Sequence, residues 1–357
     1  MSSATSDAAL ASYLRELIRD NAESLFGIAA GEPHVEQLAL SRPHGRNDSQ
    51  NRYHRTLTVR YATAGGLREK RIWLKFLKSR RVVYDIHVAA WNRTRDAGRL
   101  FPRPYFYGEW RGEAVMGMEL VDGTSLRDLF LRRALVRRSG SLDAVFTALG
   151  RALRAFHDSS EASGARSTND LAENACRLAS GTAHLAPGER DRALERIRSA
   201  AVVAGGDRTQ LPLIRVHHDC TLRNVLVRHD GSPCLVDLDS MPAPCKSRWY
   251  DVTVFLINLE SQIKFAPLCD AETIAAAWRS FWSGYAGAGL PDGLSLEQAQ
   301  AVLFLTKVEY AFEGAWLPVF EFYGGLLANR YLRRLKDSLL AGDAVGQVAN
   351  QSWGSRT

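Results

Sequence analysis

The feature that most limits what this chain can fold into is a change of hydrophobic period near residues 121–124. Upstream, apolar residues alternate with polar ones in short runs; downstream, they recur at helical spacing almost to the end. The alternating runs occupy residues 35–40, 55–61, 70–77, 105–109 and 114–120. Turn signals at residues 62–66 and at Arg111-Gly112 join them, so they read as a small antiparallel sheet. A helix over 82–96 interrupts the sheet. An amphipathic helix over 9–26, apolar at Leu10, Leu14, Leu17, Ile18 and Leu25, precedes it. Beyond Asp122-Gly123, residues 125–138 and 142–157 are predicted helices, the second apolar at Phe146, Leu149, Leu153 and Phe156. Short strands return only within 211–239, and residues 250–340 read as apolar, aromatic-rich helix. The expectation is an α+β chain with an N-terminal helix at 1–30, a sheet lobe at 31–121 and a mainly helical lobe at 122–357. A chain of 357 residues has enough material for a core in each lobe.

Composition removes several function classes. Hydrophobic residues are 46% of the chain and charged residues 24%, the balance of a globular protein, not a disordered or fibrous one. No stretch reaches the roughly 18 uncharged apolar residues of a membrane span; the best, 299–317, is broken by Lys307, Glu309 and Glu313. The N-terminus lacks the basic and apolar regions of a signal peptide. The five cysteines are scattered, odd in number and without CxxC spacing, so a reducing, cytoplasmic location is expected and no zinc ribbon or disulfide framework. The net charge of +7 (46 basic against 39 acidic) does not point to nucleic acid, because residues 250–325 hold nine acids against three bases. That local excess of −6, among many aromatic residues, suits a cationic or sugar-like small molecule, although aromatics at helical spacing also simply pack a core.

The chemistry concentrates in residues 216–239. Two apolar runs, 225–228 and 234–238, flank His-Asp-Gly-Ser-Pro, with Asp230-Gly231 as the turn of a hairpin. A register in which facing residues sum to about 461 sets Asn224 opposite Asp237, where Cβ atoms lie about 5 Å apart. Two oxygens so placed suit a hard cation such as Mg²⁺, which takes few protein ligands and completes its shell with water and phosphate. Asp219 lies five residues before Asn224 at the same end, placed to accept a proton. His217 and His218 are a poor zinc pair, because neighbours on extended backbone point to opposite faces.

The pattern Asp-x-x-x-x-Asn followed by a strand-borne Asp resembles the catalytic loop and metal aspartate of kinase-fold enzymes. More closely, His217-His218-Asp219 and Asn224, followed by Leu235-Val236-Asp237-Leu238-Asp239, resemble the aminoglycoside phosphotransferase and choline kinase-like family. The resemblance extends to Ile72-Trp73-Leu74-Lys75, the segment Met116 to Leu126, the helix ending in Phe156-His157, and Trp249-Tyr250-Asp251-Val252. It implies a bilobal protein-kinase-like fold, with a small antiparallel-sheet N-lobe and a mainly helical C-lobe. It also implies transfer of the γ-phosphoryl group of ATP to a hydroxyl. In that scheme Asp219 is the base, Asn224 and Asp237 hold Mg²⁺, Lys75 steadies the nucleotide phosphates, and backbone at Glu119 to Val121 binds adenine. His217 braces the loop, Asp239 reaches a second metal or the loop, and Ser49 with backbone N–H groups stands in for a glycine-rich phosphate loop.

Three departures bear on this. His218 stands where the family usually has glycine. The loop at 43–51 has one glycine. No glutamate falls between Lys70 and Glu109 to pair with Lys75, leaving Asp85 as the nearest acid and His87 near the aligned position. About a dozen residues separate Asp239 from Asp251, too few for the platform on which protein kinases hold peptides, so the expected acceptor is a small molecule: an aminoglycoside or other antibiotic, a sugar or an amino alcohol. No obligate protein partner is indicated. The alternatives are a kinase-fold nucleotide-binding protein without turnover, and a kinase for a protein or lipid-linked acceptor.

Overall fold

The structure, a computed structural model, describes residues 3–27, 34–42, 51–63, 65–77, 81–96, 98–136, 142–181, 185–241, 243–262 and 271–313. The chain divides into two compact units, Met1–Asp122 and Gly123–Thr357.

The first unit is built on a five-stranded antiparallel sheet in the order β1-β2-β3-β5-β4. Its strands are β1 (His34–Leu40), β2 (Asn51–Thr63), β3 (Gly66–Leu77), β4 (Pro104–Trp110) and β5 (Glu113–Glu119). Alternation along β3 sends Ile72, Leu74 and Phe76 to one face, where they share a core with Leu10, Leu14 and Ile18 of α1 (Ser3–Asp20). The N-terminal helix is therefore part of this unit, its apolar stripe spent on the sheet. Trp73, Lys75 and Leu77 take the other face. There Leu77, Met116 and Met118 pack with Val83 and Tyr84 of α3 (Arg81–Thr94). A short α2 (Ala22–Phe26) follows α1.

The second unit opens with β6 (Gly123–Ser125), which pairs with β9 (Val225–Arg228) beside β10 (Pro233–Leu235). A second small sheet joins β7 (Gly164–Ser167), β8 (Gln210–Ile214) and β11 (Lys246–Ser247). Helices α4 (Leu126–Val136), α5 (Asp143–Asp158), α6 (Thr168–Gly181) and α7 (Pro187–Ala204) precede the hairpin. Helices α8 (Trp249–Glu260), α9 (Ala271–Ala286) and α10 (Leu296–Phe312) follow it. Helix α8 is buried nearly all round, which explains its lack of a polar stripe. Helices α5 and α9 touch backbone to backbone: a Cβ on Gly150 would lie 2.1 Å from the Phe281 carbonyl oxygen, and one on Gly284 2.0 Å from that of Thr147. Only glycine allows that approach. No described helix is long and apolar enough to cross a membrane, and Cys176, Cys220, Cys234 and Cys245 are free thiols.

Candidate active site

The hairpin that carries the site has a register one residue away from the expected one. Pro233 faces Val227 and Leu235 faces Val225, so facing residues sum to 460. The hydrogen bonds Arg228 N–H to Ser232 O (3.0 Å) and Val236 N–H to Asn224 O (2.8 Å) mark the bonded pairs. Pro233 thereby falls in a non-bonded pair, where its missing N–H costs nothing. The turn is fixed by Asp230, whose Oδ1 accepts the Ser232 N–H at 2.8 Å, and by Gly231 at φ 82°. Asn224 consequently faces Val236. Asp237 lies one residue further on, where the chain leaves the strand at φ 67°, ψ 58° and enters a 3-10 turn over Leu238–Ser240. Asp237 is exposed and Asp239 buried.

Asn224 and Asp219 meet directly. The Asn224 Nδ2 donates to the Asp219 carboxylate at 2.7 Å and to the Asp219 carbonyl at 3.0 Å. With its amide nitrogen committed, Asn224 presents its carbonyl oxygen as a ligand. Burial pushes the Asp219 carboxyl above its usual range; the His217 and Asn224 contacts oppose this, and the negative charges of Asp237 and Asp251 add to it. Asp237 is thus near enough to Asp219 for the two carboxylates to repel. Asn224 and Asp237 each carry side-chain oxygen, the donor type a hard cation takes, and lie one residue apart across the open end of the hairpin.

The loop is held from behind by residues that spacing alone does not single out. His217, fully buried, accepts the Asp219 N–H at Nδ1 (3.2 Å), so Nε2 carries the proton and donates to the Val236 carbonyl at 3.0 Å. One imidazole therefore ties the loop to β10. Asp251 on α8, also fully buried, accepts the backbone N–H groups of His217 (2.7 Å) and His218 (2.9 Å) and the His157 Nε2–H (3.1 Å). Burial pushes the Asp251 carboxyl up, but the hydrogen bond from His157, the electrostatic pull of the two neighbouring imidazoles and the His217 N–H outweigh it, leaving the carboxyl below its usual range. His157 is kept neutral by burial, so its Nδ1 accepts the Tyr285 hydroxyl at 2.8 Å. Two turns along α8, Asn258 accepts the Leu222 N–H at 2.9 Å. The signal for these braces was present: Asp251 and His157 both sit inside the motifs quoted above, but their partners are 34 and 94 residues apart in sequence.

His218 occupies φ 70°. That left-handed conformation is why glycine suits the position, and histidine is among the residues that tolerate it. Its ring lies 5.4 Å from that of Tyr250, edge to face, and burial lowers its pKa.

In the first unit, Lys75 is buried on β3 between cross-strand neighbours His54 and Met116. Trp73, two residues earlier, shares its face. The Glu119 N–H donates to the Arg103 carbonyl at 2.8 Å and its carboxylate accepts the Arg103 N–H at 3.1 Å; Val121 follows as half-buried irregular chain. Asp85 does not turn to the sheet: it is exposed and pairs with Arg81 one turn away at 3.6 Å. The buried positions of α3 are Val83, His87, Ala90 and Thr94, so the face that packs on the sheet carries a histidine in place of an acid. Ser49 lies outside the described residues.

The profile of the phosphotransferase enzyme family matches residues 45–285. The chain belongs to that family. Its antiparallel-sheet unit followed by a mainly helical unit is the protein-kinase-like fold. No curated protein matches the sequence closely enough to count as a relative. Among solved structures, the chain is similar to a thermostable mutant of aminoglycoside phosphotransferase APH(4)-Ia in ternary complex with ADP and hygromycin B. Identity there is 14% and TM-score 0.49, over 95% of this chain and 99% of that one. It is similar also to amicoumacin kinase hAmiN in complex with AMP-PNP, Ca²⁺ and Ami, at 16% identity and TM-score 0.44 over 93% and 96% of the two chains. A putative fructosamine-3-kinase from Haemophilus somnus matches at 9% identity and TM-score 0.43, over 94% of this chain and 97% of that one.

Proposed function

We propose that this family member is an ATP- and Mg²⁺-dependent kinase that phosphorylates a hydroxyl of a small molecule. The observation that carries the reading is the Asp219–Asn224 contact of 2.7 Å, in a loop braced by His217 and Asp251. Asp219 takes the acceptor's hydroxyl proton as the oxygen bonds to the γ-phosphorus and the bond from phosphorus to the β-bridging oxygen breaks, its electron pair leaving with ADP. The raised pKa of Asp219 makes it a better proton acceptor than an ordinary carboxylate. Asn224 and Asp237 would hold the Mg²⁺, with Asp239 as a supporting acid. When bound, the ion neutralises charge on the nucleotide phosphates. Lys75 steadies the α- and β-phosphates, and the chain from Glu119 to Val121 binds adenine through backbone groups. Since the Glu119 N–H is committed to Arg103, that role falls mainly to Val121. Trp73, on the Lys75 face, offers a stacking surface for the purine.

One observation favours a second reading. The sheet-facing side of α3 carries His87 and no acid, which suits a protein that binds nucleotide without turning it over. The deciding experiment is Mg²⁺-dependent transfer of the γ-phosphate by the purified chain across hydroxylated antibiotics, sugars and amino alcohols, beside Asp219→Asn. Acceptor-dependent transfer that falls about 10²–10⁴-fold in the variant supports the kinase. Nucleotide binding with no transfer to any acceptor supports the second reading.

A further inference from the structure

A line of hydrogen bonds runs from α9 to the loop that carries Asp219, and it begins at a tyrosine to which the chemistry above gives no part. The Tyr285 hydroxyl lies 2.8 Å from His157 Nδ1 on α5, and His157 Nε2 lies 3.1 Å from Asp251 Oδ2 on α8. The Asp251 oxygens in turn accept the N–H groups of His217 at 2.7 Å and His218 at 2.9 Å, the two residues before Asp219. Tyr285, His157 and Asp251 are fully buried, so water does not weaken these bonds. Chemistry settles the direction of each. A carboxylate only accepts, so His157 Nε2 carries a proton; burial keeps the imidazole neutral, so Nδ1 accepts and the Tyr285 O–H donates. Burial also pushes the Tyr285 hydroxyl up, so it keeps its proton.

The packing of α5 on α9 brings the tyrosine within reach. A Cβ on Gly150, two turns before His157, would lie 2.8 Å from the Tyr285 backbone nitrogen, so the absent side chain lets α9 close on α5. The Tyr285 ring stacks on Phe281 at 5.9 Å. Arg154 Nη1 donates to the Gly289 carbonyl at 2.8 Å and to the Tyr285 carbonyl at 3.4 Å, fastening the end of α9 to α5. A phenylalanine would fill the same space and keep the stacking, so packing alone does not call for the hydroxyl. What the hydroxyl adds is a second anchor for the imidazole. Pinned at both nitrogens, the His157 ring cannot turn about its bond to Cβ, and its Nε2–H stays aimed at Asp251. Pinned at one, it can turn, and the carboxylate that holds the two loop N–H groups loses a fixed donor.

Provided the phosphotransfer reading above holds, we infer that Tyr285 is a positioning residue for the transfer step, acting on Asp219 through His157, Asp251 and the N–H groups of His217 and His218. Helix α9 thus sets the place of the base while contributing no group to the reaction.

The test uses the full chain and three variants. Tyr285→Phe removes one oxygen and keeps the ring. His157→Gln leaves an N–H for Asp251 but takes away the acceptor for Tyr285. The third carries both changes. Two properties are measured: hydrogen exchange of the His217 and His218 amides by NMR, and kcat and KM for Mg-ATP with an acceptor identified by the phosphotransfer panel. Tyr285→Phe is expected to speed exchange at those two amides about tenfold, the worth of one hydrogen bond, while the amide of Phe255, buried within α8, keeps its rate. It is expected to lower kcat by about the same factor with KM for Mg-ATP unchanged, and to add nothing where His157→Gln is already present. Unchanged exchange at the two amides, equal acceleration at Phe255, or effects that add in full in the double variant each overturn this inference alone. If Tyr285→Phe does not fold, His157→Gln decides: unchanged exchange at His217 and His218 in that variant overturns the inference. A parent chain that transfers phosphate to no acceptor overturns the phosphotransfer reading and the consequence for turnover with it, while the amide measurement still decides whether Tyr285 acts on the loop.

Discussion

Replacing Asp251 by asparagine probes the brace behind the catalytic loop with almost no change of shape. The carboxylate is fully buried and accepts three hydrogen bonds: Oδ2 takes the His217 N–H and the His157 Nε2–H, and Oδ1 the His218 N–H. Asparagine does best with its oxygen in the Oδ2 position, which keeps two bonds but makes them neutral, at a cost of about 1 kcal/mol each. Its NH₂ then faces the His218 N–H, leaving a buried donor unpaired at about 1–3 kcal/mol. Removing a buried charge returns part of the desolvation cost, so the net loss is about 2–4 kcal/mol, a large share of a typical 5–15. His217 and His218 precede Asp219, so a loop displaced by about 1 Å lowers turnover about 100-fold. Urea unfolding and Mg-ATP turnover, with an acceptor identified by the phosphotransfer panel or with water, measure both effects. A variant within about 0.5 kcal/mol of the parent, or one with full turnover, would refute the argument that Asp251 holds the loop.

Asp219→Asn is expected to lower turnover about 10²–10⁴-fold and raise thermal stability, because a buried carboxyl whose folded pKa is raised opposes folding once pH exceeds that value; a lowered melting temperature would count against it. In that same variant, where the opposing contribution of Asp219 is absent, stability should fall as pH drops below the ordinary histidine value of 6.5. Burial depresses the folded pKa of His157 and His218, so the unfolded chain takes up the protons that the folded one refuses. Equal urea midpoints at about pH 7.5 and about pH 5.5 would contradict this. Gly284→Ala should destabilise by about 1–3 kcal/mol despite the better helix propensity of alanine, because the new Cβ would lie 2.0 Å from the Thr147 carbonyl oxygen. A stabilised variant would mean that α5 and α9 separate freely.

Much of the candidate site was legible in the residues. Asp219 and Asn224 were placed together by a loop only five residues long, and local chain geometry leaves few ways to part them. The family resemblance implied that His217 braces the loop, and its ring accepts the Asp219 N–H and donates to the Val236 carbonyl. Asp237 was read as the partner across the hairpin from Asn224, and here the reading was one residue out. A turn rich in polar residues can close in two registers, and Pro233, needing a pair without an N–H, selects between them.

The sequence by itself determined the order of the architecture, a sheet unit followed by a helical one, because periods of 2 and 3.6 residues are written into the spacing of apolar side chains. It determined that Asp219 and Asn224 share one short loop, because their contact is local. Tertiary structure alone decided which distant groups complete the site. Asp251, His157, Asn258 and Tyr285 reach the loop or one another only because α5, α8 and α9 are packed in one core. It also decided that Asp85 faces solvent while His87 faces the sheet. And it decided that Glu260, Asp292, Glu309 and Glu313 are paired within the chain. Composition counts charges; only the fold shows which of them are already satisfied.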